Sequence, residues 1–135
     1  MKKTLKKVSG RDSWKVAAGS GFRCYCPQGT TYAKLVRLFG APSWTDSEDG
    51  KVQAQWVLVA ADGSVATIYD YKEYGRSVHE LKGDDWHIGG RVLPLAKGMD
   101  RELIEALHGH RIQRPNTAIE EVIALLTPAP KGVQK

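Results

Sequence analysis

Tyr69, Tyr71, Tyr74 and Trp86 stand close together in the middle of the chain, with Lys72, Arg76, His87 and Arg91 set among them. Flat rings interleaved with cations suit one kind of chemistry. The rings can stack on a purine while the cations take its phosphates, arginine in bidentate fashion. A second group of donors, Arg111, Arg114 and Asn116, lies in HGHRIQRPN, between two helical segments, where packing gives an arginine little reason to be. Tyr71, Lys72, Tyr74, Arg76, Trp86, His87, Arg91, Arg111, Arg114 and Asn116 are therefore the candidate ligand-binding residues. The competing reading is structural. Tyrosines and tryptophans on strands are mostly core or interface residues. Arg111 and Arg114 could instead pair with the acidic loop around Asp46, Glu48 and Asp49.

Catalytic chemistry finds less support. There is no GxSxG, no reactive-cysteine signature and no suggestively framed pair of carboxylates. Cys24 and Cys26 lie two apart, a spacing at which a disulfide would be strained. They read as reduced, partly or fully buried thiols. His108 and His110 flank Gly109 without the i, i+4 spacing of a helical metal pair. No enzyme activity, metal or cofactor is expected.

The elements that must position these residues centre on Lys51 to Gly90. Asp62-Gly63, between two runs rich in β-branched and aromatic residues, predicts a hairpin. With those two residues as its loop, Trp56 pairs with Tyr69 and Ala54 with Tyr71. One face then carries Val52, Ala54, Trp56 and Leu58 opposite Val65, Thr67, Tyr69 and Tyr71. The other carries Val57 and Val59 opposite Ile68 and Ala66. Both faces are partly apolar, so each should pack against something. DWHIGG supplies a third strand over 85–89, and Gly89-Gly90 lets the chain turn sharply or approach a ligand closely.

TTYAKLVRLFG predicts a helix over 31–39, with Thr30 or Thr31 as its cap, Tyr32, Leu35, Val36 and Phe39 as its stripe, and Gly40 and Pro42 as its end. Trp14 to Ala17 and Phe22 to Cys26 read as strands joined at Gly19-Ser20-Gly21. Ser43 to Gly50 reads as an acidic loop with Trp44 tucked onto the core. Two helices close the chain. Asp100 caps the first; Thr117 and Glu120 form a capping box for the second, whose stripe is Ile119, Val122, Ile123 and Leu126. The expected fold is α+β: an antiparallel sheet centred on a 51–72 hairpin and strand 85–89, packed with one short helix and a C-terminal helical pair. Residues 1–135 form a single domain, with a mobile basic start over 1–10 and a tail over 128–135.

The chain has 135 residues, 41% hydrophobic and 26% charged, with a net charge of +5. Such a balance is ordinary for a globular domain with a real core. The positive charge favours an anionic partner only weakly, since Lys2, Lys3, Lys6 and Lys7 supply much of it. The longest apolar runs are strand-length, which excludes a membrane-spanning helix. MKKTLKKVSG lacks the apolar stretch of a signal peptide, so a cytoplasmic location is expected.

TYAKLVRLFGAP, DGKVQAQWVLVAADGSVATIYDYKEYG and WHIGG together resemble a group of small phage-encoded accessory proteins, and within it the first family of Thoeris anti-defence proteins. The resemblance covers roughly residues 31 to 126. Members of that family are sponges that bind and sequester the cyclic ADP-ribose isomers made by bacterial TIR immune proteins. The resemblance implies a non-catalytic oligomer built from dimers, with ligand pockets at subunit interfaces, in the cytoplasm of the infected host. It supplies no residue-by-residue match for the ligand contacts. The expected function is thus sequestration of a cyclic nucleotide immune signal without cleavage, with no membrane or nucleic-acid partner. Two rivals are a phage inhibitor that binds a host defence protein directly, of anti-CRISPR or anti-restriction type, and a basic nucleic-acid-binding accessory protein. A signal-degrading enzyme is a third.

Overall fold

Six strands form one antiparallel sheet in the computed structural model, which describes residues 5–10, 13–92 and 116–128. In chain order the elements are β1 (Lys6–Val8), α1 (Ser13–Ala17), β2 (Gly21–Tyr25), α2 (Tyr32–Phe39), β3 (Trp44–Thr45), β4 (Ala54–Val59), β5 (Val65–Asp70), β6 (Trp86–Arg91) and α3 (Thr117–Leu126). Two single-turn 3-10 helices, Val78–Glu80 and Gly83–Asp85, lie between β5 and β6. The sheet order is β1-β4-β5-β6-β2, with β3 pairing β4 beyond that path. The α+β expectation holds. The first member of the expected C-terminal helical pair lies outside the described residues.

The hairpin forms, but one residue out of the expected register. Trp56 pairs with Ile68, and Val59 with Val65. The Ala60 N–H donates to the Ser64 carbonyl (3.0 Å) and the Gly63 N–H to the Ala60 carbonyl (2.9 Å), so the loop is Ala61-Asp62-Gly63. Gly63 takes a positive φ of 86°, as a three-residue hairpin loop needs at its last position. The slip exchanges the faces of β5. Ala54, Trp56 and Leu58 therefore share a face with Ala66, Ile68 and Asp70, while Val57 and Val59 share theirs with Val65, Thr67 and Tyr69.

The first of these faces is the core. Leu35 of α2, Trp56, Leu58, Ile68, Leu81, Trp86, Ile88 and the α3 residues Ile119, Val122 and Leu126 bury together. Thr31 caps α2 as expected, its side chain accepting from the Lys34 N–H (3.1 Å), and Gly40 closes the helix. The Trp56 indole N–H donates to the Gly40 carbonyl (2.8 Å), pinning the end of α2 to the sheet. For α3 the cap is Asn116 and not the expected Thr117: its Oδ1 accepts from the Ile119 N–H (2.9 Å).

Two further expectations are corrected. Trp14 to Ala17 is helical, in α1, which is too short to display a readable period. Lys6 and Lys7, expected in a solvated tail, are in edge strand β1 beside β4, and the Lys7 ammonium donates to the Ala41 carbonyl (2.7 Å).

Candidate functional site

The second face of the sheet is divided. Arg91, assigned a ligand role from sequence, straps α1 over one part of this face. Its Nε and Nη2 donate to the Val16 carbonyl at 3.1 and 2.9 Å. Val57, Val65 and Thr67 are buried on this face. Over β2, β6 and the end of β5, aromatic rings stand in the open instead.

A bulge in β2 makes this possible. Phe22 pairs with Gly89 and Cys24 with Ile88, leaving Arg23 without an opposite residue. The extra residue lets Phe22 and Tyr25 share the open face while Cys24 turns to the core. His87, opposite both Tyr25 and Tyr69, is the hub. Its ring centroid lies 5.1 Å from that of Tyr25, 5.4 Å from Phe22, 5.3 Å from Tyr69 and 6.2 Å from Tyr71. These are edge-to-face and tilted contacts of the kind aromatic quadrupoles favour. Phe22 and Tyr25 remain 53% and 55% exposed, so the platform has free faces to offer.

Burial favours the neutral form of the hub. Burial pushes the His87 imidazole below its ordinary value, against the opposing pull of the Glu73, Asp70, Asp85 and Asp84 carboxylates. Burial, with the Tyr71 phenol beside it, raises the Tyr69 phenol above its ordinary value. Lys72 adds a cation at the rim. It has a positive φ of 57°, donates its backbone N–H to the Lys51 carbonyl (2.7 Å) and holds its ammonium 5.4 Å from the Tyr71 ring centroid.

The ten candidate residues thus divide. Tyr71, Lys72 and His87 come together on the platform, and Tyr74 is exposed nearby in the chain without a ring contact among the described residues. Trp86 is 0% exposed and faces the core, where its ring meets those of Trp56 and Tyr32, so stacking a ligand is not its role. Arg76 is engaged within the protein: it grips the Asp85 carboxylate with both terminal nitrogens (3.2 and 3.0 Å) and reaches Glu73 at 2.9 Å. Burial pushes the Asp85 carboxyl up, but the Lys82 N–H and Arg76 outweigh it and hold it below the ordinary range. Asn116 lies on the opposite side of the sheet, buried, donating to the Val65 carbonyl (3.1 Å). Arg111 and Arg114 lie outside the described residues. Phe22 and Tyr25 were missed, because nothing in GFRCYC announces a bulge.

Gly89-Gly90 approaches protein and not a ligand. A Cβ on Gly89 would lie 2.7 Å from the Gly21 carbonyl oxygen. Cys26 is pushed up to about 12 by burial and by Cys24 beside it, and burial raises Cys24 too, so neither is an activated thiolate. Among the described residues no three or more His, Cys, Asp or Glu side chains gather to hold a metal, and no helix is long and apolar enough to cross a membrane. Asp70, fully buried, accepts from the Gln53 and Ala54 N–H groups and the Gln53 amide; it anchors the start of β4.

Compared with family models, with curated proteins and with solved structures, the chain matches none.

Proposed function

We propose that this protein is a non-catalytic binding module that stacks a nucleobase on the Phe22, Tyr25, Tyr69, Tyr71 and His87 platform. The observation that carries the reading is the ring cluster itself, with exposed aromatic faces on an otherwise packed sheet. Large apolar rings gathered on an open surface mark recognition sites. Base stacking contributes about 1–3 kcal/mol per ring. Lys72 is placed to meet a phosphate at the rim.

Among nucleobase ligands we put a cyclic nucleotide first, sequestered intact as an immune signal of the cyclic ADP-ribose type, as the resemblance to the Thoeris anti-defence family implies. Sequestration requires slow release, and an open platform releases quickly. A second copy laid over the platform would enclose the ligand, which makes a homo-oligomer part of the proposal. A second reading, single-stranded nucleic acid, is favoured by the spread of the rings over three strands and by the net charge of +5.

Calorimetry separates them. The panel is cyclic ADP-ribose isomers, cyclic di- and trinucleotides and a short single-stranded oligonucleotide, at two salt concentrations. The expected result is saturable binding of a cyclic nucleotide, recovered unchanged, with affinity lost about tenfold or more in Tyr25→Ala. Oligonucleotide binding that falls steeply with salt selects the second reading. Silence across the panel, or binding indifferent to Tyr25→Ala and Phe22→Ala, overturns both.

A further inference from the structure

On the other side of β4 from the ring platform's strands, β3 and α1 bring Trp44 and Trp14 to the walls of one cleft of about 450 Å³, a volume that suits a small molecule. Thr45, Asp46, Ser47 and Glu48 also line it. The two tryptophans are held independently of any ligand. The Gly10 N–H donates to the Ser43 carbonyl (3.1 Å) and the Ser13 N–H to the Gly10 carbonyl (3.1 Å), tying the start of α1 to the start of β3. The acidic loop is fixed as well, by Asp46 N–H to the Gln53 carbonyl and Ser47 N–H to the Val52 carbonyl, both 2.9 Å.

The chemistry of this lining is specific. Trp14 is 58% exposed, which leaves its ring available to the cleft. The Trp44 indole N–H is turned out of solvent, so the part of that ring left to the cleft is its carbon surface. Asp49 in the same loop is occupied by the Ser47 hydroxyl (2.7 Å) and by Lys51 (3.9 Å). The Asp46 and Glu48 carboxylates, by contrast, have no ion-pair partner among the described residues. Indole faces and unneutralised carboxylates in one concavity attract an organic cation, and they favour an alkylated ammonium, whose methyl groups fill an apolar cleft without demanding hydrogen bonds. The Trp14 indole already meets one cation within the protein: Lys15 Nζ lies 5.9 Å from its ring centroid.

We infer that the cleft between Trp14 and Trp44 is a binding site for a small quaternary ammonium compound, the indoles taking its methyl groups and Asp46 and Glu48 its charge. This site is independent of the ring platform, and neither depends on the other being occupied.

The test is a titration of the full chain with choline, followed by the indole N–H resonances in NMR, with those of buried Trp56 and Trp86 as internal references. Saturable shifts of the Trp14 and Trp44 resonances are expected, with 3,3-dimethyl-1-butanol, the uncharged isostere, about tenfold weaker or worse. Trp14→Ala, at an exposed position, should weaken choline about 3- to 10-fold, and Asp46→Asn should weaken it without moving the reference indoles. Equal binding of choline and its isostere overturns the cation assignment. No saturable shift below about 50 mM choline overturns the site. A trimethyllysine peptide that binds where choline does not overturns the assignment to a small molecule.

Discussion

Phe22 and Tyr25 are three residues apart on one strand yet share a face, their ring centroids 5.1 Å apart. In regular β-structure an odd spacing puts two side chains on opposite faces. The bulge at Arg23 removes that alternation once, and so assembles an aromatic surface from residues whose spacing would scatter it.

Deleting Arg23 should therefore remove the bulge and leave the platform standing. Phe22 is then two residues from Tyr25, and with Tyr25 kept opposite His87 it still pairs with Gly89 on the platform side. The expected outcome is retention of both the Phe22–His87 and the Tyr25–His87 nuclear Overhauser contacts. Ligand affinity should stay well above that of Phe22→Ala. Loss of the Phe22–His87 contacts with those of Tyr25–His87 kept would show that Arg23 is not the residue that sets the register.

His87 gives the fold an acid-side dependence. Its folded-state value lies below the ordinary 6.5 because burial disfavours the imidazolium. A depressed value means the unfolded chain binds the proton more readily. The stability associated with neutral His87 is thus complete above about pH 6.5 and is lost as pH falls through the lower, folded-state value. His87→Phe, which keeps a ring at the hub, should flatten that fall. Urea titrations of both proteins between about pH 7 and pH 5 check the slope, and the His87 proton resonances check the midpoint. A midpoint above the ordinary value would reverse the sign and remove the argument.

Trp86→Ala should cost about 3–5 kcal/mol, the scale of a large aromatic removed from a close-packed core. Trp86→Phe should cost much less, because its indole N–H has no acceptor among the described residues and only the ring volume is lost. Denaturant midpoints measure both. In Trp86→Phe, nucleotide binding should be unchanged, since the ring lies on the face away from the platform. A selective loss of binding in this variant would return Trp86 to the ligand site.

Legibility in the sequence followed the range of the interaction. Helix α2 could be read from YAKLVRLF, whose stripe, cap and stop are all local. The hairpin was legible too, but Asp62-Gly63 serves a two-residue and a three-residue loop equally well. What decides is the pairing of Ala60 with Ser64, a contact across the turn. That single residue determined which aromatics faced outward. Arg76 and Arg91 looked like phosphate donors because an arginine's partners, here Asp85 and the Val16 carbonyl, are remote in sequence or lack a side-chain signature. Trp86 and Tyr71 were alike as types; only the parity of their strands separates a core ring from a platform ring.

Gly90 and Asn116 should prove energetically coupled. A Cβ at Gly90 would strike the Val65 carbonyl oxygen and lie 2.9 Å from Ile119 Cδ1 and 3.1 Å from Asn116 Nδ2. Gly90→Ala must therefore shift the Val65 carbonyl, and with it the Asn116 amide that donates to it, at about 1–3 kcal/mol. Asn116→Ala should cost about 1–3 kcal/mol by uncapping α3 and leaving the Val65 carbonyl without its donor. The Asn116 amide is among the atoms that Gly90→Ala displaces, so the double variant should lose less than the two single losses added together, by about 0.5 kcal/mol or more. Urea denaturation of the four proteins measures the coupling. Strict additivity would mean that α3 accommodates the methyl group without disturbing its cap, and that Gly90 is required by β6 alone.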